Sequence, residues 1–305
     1  MKATLILLSA TLMGATLQAE RLTLTGAGAS FPAPVYQQWT YAYTSNNLGA
    51  AINYQSVGSG AGINQIKAGT IDFAGSDAPL TPAQCEENGL VQFPMLTGAV
   101  VPVVNLPRVK DAQLKLSNET LIDIFLGEIT NWNDPRIAAE NPGVKLPKSL
   151  PITVVHRSDS SGTTNIFTSY LTTISAKWKE QVGAGSNVKW PVGIGGQKNP
   201  GVCNTVARIR GAIGYTEYTY ALEAKLATIQ LCDAQKQYHT ADKAAWPILG
   251  TTYILFRKDL AAERLDALKA YLRWCFEKGD VQALKLHYTP LPASTKAEVL
   301  TDILK

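Results

Sequence analysis

Residues 154–167 read VVHRSDSSGTTNIF, which joins an apolar pair to a polar stretch and then to a new apolar pattern. The β-branched residues Val154 and Val155 are typical of a strand, whereas the apolar residues from 166 to 171 recur at helical spacing. Residues 158–164 are therefore predicted to form the turn between a strand and a helix. Such a turn points free backbone N–H groups outward, because the first N–H groups of a helix have no partner within it.

The same strand, turn and helix pattern recurs nearer the N-terminus. It is found where 22–25 enter GAGASFPAP (26–34), where 51–55 enter VGSGAG (57–62), and where a short strand ends within IDFAGSDAP (71–79). Pro34 suits the first turn of the first of these helices. This alternation predicts α/β domains with mostly parallel sheets and a ligand at the carboxyl ends of the strands.

These turns have the chemistry of an anion site. A helix start carries unsatisfied N–H donors and partial positive charge, small residues allow a ligand to approach, and Ser or Thr hydroxyls add donors. A nucleotide-binding loop is not indicated, since the sequence has no Walker motif and GAGASF lacks the third glycine of G-x-G-x-x-G.

The length and charge of the chain limit the number of domains and the kinds of partner that can be expected. At 305 residues, with 46% hydrophobic and 17% charged residues, the chain has the material for two globular domains. Residues 1–19 are typical of a secretory signal, with Lys2, an apolar run and cleavage expected near Ala19. Their removal takes away one lysine and no acid, so the formal charge falls from +4 to +3. This mild balance without basic clusters favours neither nucleic acid nor an anionic membrane as partner.

The four cysteines, at 85, 203, 232 and 275, match no close metal-ligand spacing. In an exported chain disulfides are favoured over a zinc site. Four cysteines permit three pairings, and spacing alone leaves these open.

Seven motifs together are specific enough to identify a family: TGAGASFPAPVY (25–36), NYQSVGSGAG (53–62), IDFAGSDAPL (71–80), RSDSSGTTNIFTSYL (157–171), VKWPVGIGG (188–196), GAIGYTEYTYA (211–221) and AWPILGTTYIL (245–255). In these motifs the chain resembles the periplasmic phosphate-binding protein of the Pst ABC transporter, the PstS family. The resemblance implies a type II periplasmic-binding-protein fold, with two α/β lobes, a hinge of crossing strands and the ligand in the cleft. It implies one lobe at 20–98 plus 254–305 and another at 99–253.

The resemblance also implies the ligand set. Carried over position by position, the phosphate ligands are Ser30, Phe31 through its N–H, Ser59, Asp77, Arg157, Asp159, Ser161, Gly162 and Thr163. Arg157 would supply charge and a rigid donor fork, and Asp159 would orient it. Asp77 would accept a proton from the ligand. Ser30 stands where the family often has Thr, and GSGAG where it often has GSSGG.

The expected protein is a periplasmic monomer that binds inorganic phosphate and delivers it to the inner-membrane ABC permease. It needs no metal or other cofactor and is not an enzyme. With the lobes assigned in this way, pairs within a lobe are expected, namely Cys203–Cys232 and Cys85–Cys275, because a bond across the hinge would prevent closure.

Two alternatives remain open. One is a binding protein for another oxyanion such as sulfate. The other is a secreted phosphatase or hydrolase, for which Ser161, His156 and Asp159 offer a nucleophile, a base and an orienting acid. Against this, none of the serines in the anion-turn motifs stands in a G-x-S-x-G elbow.

Three other features are interpreted as structural. His156 should face away from Arg157, since alternate residues of a strand point to opposite faces. The aromatic cluster Trp39, Tyr41 and Tyr43, with Trp274, is expected in the core. GIGGQKNPG (193–201) lacks the Lys-Ser/Thr ending of a phosphate loop and is expected to be a mobile surface loop.

Overall fold

The structure is a computed structural model that describes residues 21–46 and 50–305. The predicted signal segment and its cleavage position lie outside these residues. Within them, no helix is both long and apolar enough to cross a membrane.

Strands and helices alternate through most of the chain. The strands are β1 (Leu22–Gly28), β2 (Ala50–Ser56), β3 (Phe73–Ser76), β4 (Leu90–Val104), β5 (Leu114–Leu116), β6 (Thr153–Arg157), β7 (Ile194–Gly196), β8 (Ala212–Glu217), β9 (Ala227–Cys232), β10 (Tyr238–His239), β11 (Leu249–Arg257) and β12 (Thr289–Pro290).

Helices connect most of these strands along the chain. They are α1 (Ala33–Asn46), α2 (Ser59–Lys67), α3 (Pro82–Glu87), α4 (Asn118–Leu126), α5 (Pro135–Glu140), α6 (Gly162–Ile174), α7 (Ala176–Gln181), α8 (Lys198–Arg208), α9 (Tyr218–Glu223), α10 (Ala262–Lys278), α11 (Asp280–Lys285) and α12 (Ala293–Glu298), followed by a π-helical turn (Val299–Ile303).

The strand β4 belongs to two sheets. Its residues 90–99 pair with β11, which pairs on its other side with β3, and the sheet continues through β1 to β2. Its residues 100–104 pair with β8, which leads to β6 and β7. A second connection runs beside it, because the Val100 N–H donates to the Ile248 carbonyl just before β11 begins.

The sheets are mixed, whereas the sequence predicted mostly parallel ones. β1, β2 and β3 are parallel to one another, as are β6, β7 and β8. β4 and β11 run antiparallel to their neighbours and join the two parallel groups. The difference arises because the central strands are paired over long sequence separations that local alternation does not reveal.

The aromatic cluster of α1 is divided between core and surface. Trp39 and Tyr43 are buried, and Trp39 donates its indole N–H to the Gly279 carbonyl at 2.9 Å. Tyr41 was expected in the core but is 76% exposed. It lies two residues from each of these partners, and at 100° per residue that spacing places it on the opposite face of the helix.

The structure contains neither predicted disulfide, and the four cysteines are free thiols. Cys203 donates to the Thr216 hydroxyl behind β8, whereas Cys232 lies near Tyr170 and Asn118. Cys275 is buried in the main core, and Cys85 is half-buried in a separate small cluster. The predicted pairing is therefore unconfirmed.

Candidate anion-binding site

The carboxyl ends of β1, β2 and β3 bring three predicted ligands together. Ser30 follows β1, Ser59 is the first residue of α2 after β2, and Asp77 follows β3 directly. Because these strands are parallel and adjacent, their following turns meet at one edge of the sheet. All three side chains are buried.

The second sheet contributes the remaining side chains from a single turn. Arg157 is the last residue of β6, and Ser161 is the N-cap of α6, where its hydroxyl accepts from the Thr164 N–H at 3.0 Å. Gly162 and Thr163 form the first turn of α6. The predicted strand, turn and helix are therefore present, with the helix beginning at Gly162.

The two turns are in direct contact. The Ser59 hydroxyl accepts from the Gly162 N–H at 3.1 Å and lies 3.5 Å from the Asp77 carboxylate. A Cβ at Gly162 would lie 2.5 Å from both side chains, so this approach requires glycine. A second contact joins the Gly60 N–H to the Ser160 carbonyl at 3.1 Å.

Arg157 is buried and held by a neighbouring carboxylate. Its Nε and Nη2 donate to the two Asp159 oxygens at 2.7 and 2.5 Å, which fixes the plane of the guanidinium. The side chain is only 1% exposed, yet Nη1 has no hydrogen-bond partner among the residues that the structure describes. Buried polar groups are nearly always paired in folded proteins, so this nitrogen indicates a ligand position.

The turn after β1, on the side of the site opposite to Arg157, provides backbone N–H donors. Among the described residues, the N–H groups of Ser30 and Phe31 have no protein acceptor. The carbonyls of these two residues are held by the hydroxyls of Tyr220 and Tyr288, at 2.7 and 2.6 Å. This fixes the turn with its N–H groups free for an oxyanion.

The two carboxyl groups have different environments. Burial raises the pKa of Asp77 to about 7, although the Thr252 hydrogen bond, the Arg157 charge and the Ser59 hydrogen bond all oppose the shift. Burial would also raise the pKa of Asp159, but the hydrogen bonds and charge of Arg157 outweigh it and lower the pKa. At neutral pH the site therefore holds a charge-balanced Arg157–Asp159 pair beside a carboxyl that readily exchanges a proton.

The turns that carry the predicted ligands contact one another, and the structure adds two residues that sequence reasoning missed. Thr252 of β11 donates to Asp77 at 2.8 Å. Asn199 donates to the hydroxyls of Ser30 and Thr163. Asn199 lies between Lys198 and Pro200 in the first turn of α8. The only sequence feature that pointed to this residue was an Asn-Pro pair after glycines, which is typical of a helix start.

The segment 193–201 is therefore not the mobile surface loop expected from its glycines. Residues 194–196 form β7, which pairs with β6, and α8 begins at Lys198. The Lys198 N–H donates to Asp159 at 2.9 Å. Sheet pairing and the N-terminus of α8 thus fix this segment beside the site.

The residues of the hydrolase alternative make separate contacts. The His156 ring stacks on Trp190 with centroids 5.0 Å apart, and Asp159 is held by Arg157. Ser161 caps α6 instead of approaching either of them. Within the described part of the chain, no group of three His, Cys, Asp or Glu side chains could hold a metal ion.

Comparison with known proteins gives consistent results. A family model described as the PBP superfamily domain matches residues 14–278. The phosphate-binding protein PstS of Xylella fastidiosa (strain 9a5c) is 43% identical over 312 residues, covering 92% of this chain and 85% of the relative. PstS of Pasteurella multocida is 44% identical, covering 88% of this chain and 86% of the relative.

Solved structures share the fold. A phosphate ABC transporter substrate-binding protein of Clostridium perfringens with bound phosphate aligns with a TM-score of 0.69 at 17% identity, over 88% of this chain and all of that one. A periplasmic phosphate-binding protein called PfluDING, bound with phosphate, aligns with a TM-score of 0.72 at 20% identity, over 93% and 94%.

Proposed function

The chain belongs to the PstS phosphate-binding proteins of the PBP superfamily, and on that premise we propose that it binds inorganic phosphate between two lobes for uptake by an ABC transporter. The family's relatives are named as binding proteins, which supports a carrier role without catalysis.

The observation that carries the proposal is the buried Nη1 of Arg157, which has no hydrogen-bond partner within the described part of the chain. The proposed ligands are the nine residues predicted from the sequence: Ser30, Phe31, Ser59, Asp77, Arg157, Asp159, Ser161, Gly162 and Thr163. Their donors outnumber their acceptors, as an oxyanion requires, and Asp77 is the acceptor for a ligand proton. Asp159 acts on the ligand by holding Arg157.

The proposed lobes are 20–98 plus 254–305 and 99–253. Support comes from β4, which changes its partner strand between Ala99 and Val100. β11 returns to the first sheet from Leu249, so residues 249–253 belong to the hinge region of this scheme. The proposed residence is the periplasm, where the protein acts as a monomer and docks on the inner-membrane permease.

Phosphate titration of ligand-free protein tests the binding proposal. Replacing Arg157 by Met removes the donor that faces the ligand, and affinity should fall by at least about a hundredfold, as expected for a charged hydrogen bond lost in a buried site. Arg257→Met is the matched control, because Arg257 grips Asp259 with the same atoms, distances and spacing, 2.7 and 2.5 Å, at the surface. Parent protein that does not bind phosphate, or equal effects of the two substitutions, would refute the proposal.

Absence of catalysis is tested separately. The purified protein should turn over neither an aryl phosphate nor an aryl ester, because among the described residues the Ser161 hydroxyl accepts from the Thr164 N–H and is hydrogen-bonded to no His, Asp or Glu side chain. Turnover that is lost in a Ser161→Ala variant would favour the hydrolase alternative instead.

A further inference from the structure

Asn199 connects the two sides of the site, although the family resemblance assigned it no role. It is fully buried in the first turn of α8, which follows β7 in the second sheet. Its backbone N–H and its side-chain Nδ2 both donate to the Ser30 hydroxyl, at 3.2 and 3.0 Å. Nδ2 also donates to the Thr163 hydroxyl at 3.2 Å.

The orientation of the Asn199 amide is determined by its neighbours. Its Oδ1 accepts from the Glu217 backbone N–H and from the Thr216 hydroxyl, both at 3.2 Å. A backbone N–H can only donate, so the oxygen of the amide must face Glu217 and the nitrogen must face Ser30. The two amide hydrogens are then both committed, one to each hydroxyl.

This arrangement decides what the two hydroxyls can offer. A serine hydroxyl has one proton and two acceptor positions. Asn199 occupies both acceptor positions of Ser30 and one of Thr163, so the proton of each remains for a third group. Such a proton can be donated only to a hydrogen-bond acceptor, such as an oxygen of an anion.

We propose that Asn199 is a positioning residue that makes the Ser30 hydroxyl an obligate donor toward the bound oxyanion and occupies one of the two acceptor positions of the Thr163 hydroxyl. The inference rests on the proposed function, since it assumes the ligand occupies the volume beside these hydroxyls. Because Ser30 follows β1 and Asn199 follows β7, the contact exists only when the two sides are closed on each other.

A double-mutant cycle with phosphate as the probe tests this. Asn199→Ala should weaken binding about tenfold in the parent but only about threefold when Ser30 is already Ala, because residues in contact couple and independent ones add. Asn204→Ala, at an exposed asparagine of the same helix, is the matched control and should leave affinity unchanged. Equal losses in both backgrounds, or no loss at all, would overturn the proposal.

A second variant keeps the test informative if the alanine variant unfolds. Asn199→Asp keeps the size of the side chain and the acceptor for Glu217 but replaces the donors by an acceptor, so both hydroxyls should turn their protons onto it. Binding should then be weaker than in Asn199→Ala, and an Asn199→Asp variant that binds phosphate as tightly as the parent would overturn the proposal. Parent protein that fails to bind phosphate would refute the proposed function itself, which separates the two outcomes.

Discussion

Asp77 combines burial with a partner set that only partly compensates for its charge. The carboxyl is 2% exposed and accepts from the Thr252 hydroxyl, while Ser59 lies at the limit of hydrogen bonding. With a pKa of about 7, it changes protonation within the pH range where phosphate also does. Its acceptor atoms favour a ligand that brings a proton.

Selectivity against sulfate should depend on this carboxyl. Near neutral pH phosphate still carries a proton to donate, whereas sulfate carries none and would leave the ionised Asp77 unpaired. We expect arsenate to compete with phosphate and sulfate not to. In Asp77→Asn the amide supplies a donor, so the phosphate-to-sulfate affinity ratio should fall about tenfold or more.

Competition calorimetry at pH 8 and pH 5 measures that ratio. In the parent, sulfate binding should strengthen as the pH falls through about 7, because the protonated carboxyl can itself donate. A parent protein that binds the two anions equally at pH 8, or an Asn variant with an unchanged ratio, would remove Asp77 from this role.

The same carboxyl should lower the stability of the ligand-free protein at high pH. Between pH 4 and 7 the folded state holds a proton on Asp77 that the unfolded chain, with an ordinary pKa, has already released. Stability from this group is thus greatest at acid pH and is lost as the pH rises through about 7. The loss is on the order of a few kcal/mol.

Urea unfolding of phosphate-free protein at pH 5 and pH 8 checks this. Asp77→Asn should be more stable than the parent at pH 8, and the gain should shrink toward pH 5. Asp266→Asn, which removes an exposed carboxyl from α10, serves as control and should follow the parent at both values. Parallel behaviour of the two variants would contradict the prediction.

At the scale of elements, the starts of α2 and α6 meet across the site. Ser59 opens α2, and Ser161 caps α6. The approach is close at glycine: a Cβ at Gly60 would lie 2.3 Å from the Ser160 hydroxyl oxygen and 2.4 Å from its Cβ. The close contact between the two helix starts therefore requires glycine at position 60, although α2 by itself would accept alanine there.

Gly60→Ala should consequently weaken phosphate binding about tenfold or more, while helix propensity favours alanine by up to about 1 kcal/mol. Removing the opposing side chain in Gly60→Ala with Ser160→Gly should restore much of the affinity. Gly201→Ala in α8, where the nearest atom is 3.4 Å from the added Cβ, should bind normally. Phosphate titration of the three variants measures these affinities. A Gly60→Ala protein that binds phosphate like the parent would show that the starts of α2 and α6 separate when ligand is bound.

The elements also show where sequence reasoning succeeded. The turns after β1, β2 and β6 were predictable, because strand residues, small polar residues and a helical period follow each other within a few positions. The positions of Asn199 and Thr252 were not, because each acts on a side chain that is remote in sequence. Glycines in 193–201 indicated a loop, and pairing with β6 overrode that local preference.

For the whole molecule, the proposed ligand set is divided between two sheets that share β4. Ser30, Ser59 and Asp77 belong to one side, and Arg157 with the α6 turn belongs to the other. A ligand that contacts both sides binds the closed arrangement better than an open one, and this difference is what can shift the population.

Phosphate should therefore make the protein more compact. Small-angle X-ray scattering of protein verified to be phosphate-free should give a larger radius of gyration than the same protein with saturating phosphate. The Arg157→Met variant should show no change at the same phosphate concentration. Curves that superimpose for the parent would exclude hinge closure and favour a site on one side alone.

The position of β11 between β3 and β4 has a further consequence for how the polypeptide acquires its structure. β3 and β4 are neighbours in the chain, but Leu249–Arg257 separates them in the sheet. A nascent chain that emerges N-terminus first cannot complete this sheet until residue 257 has left the ribosome tunnel. The parallel strands β1, β2 and β3 can pair with one another earlier, but β4 joins them only after β11 has been translated.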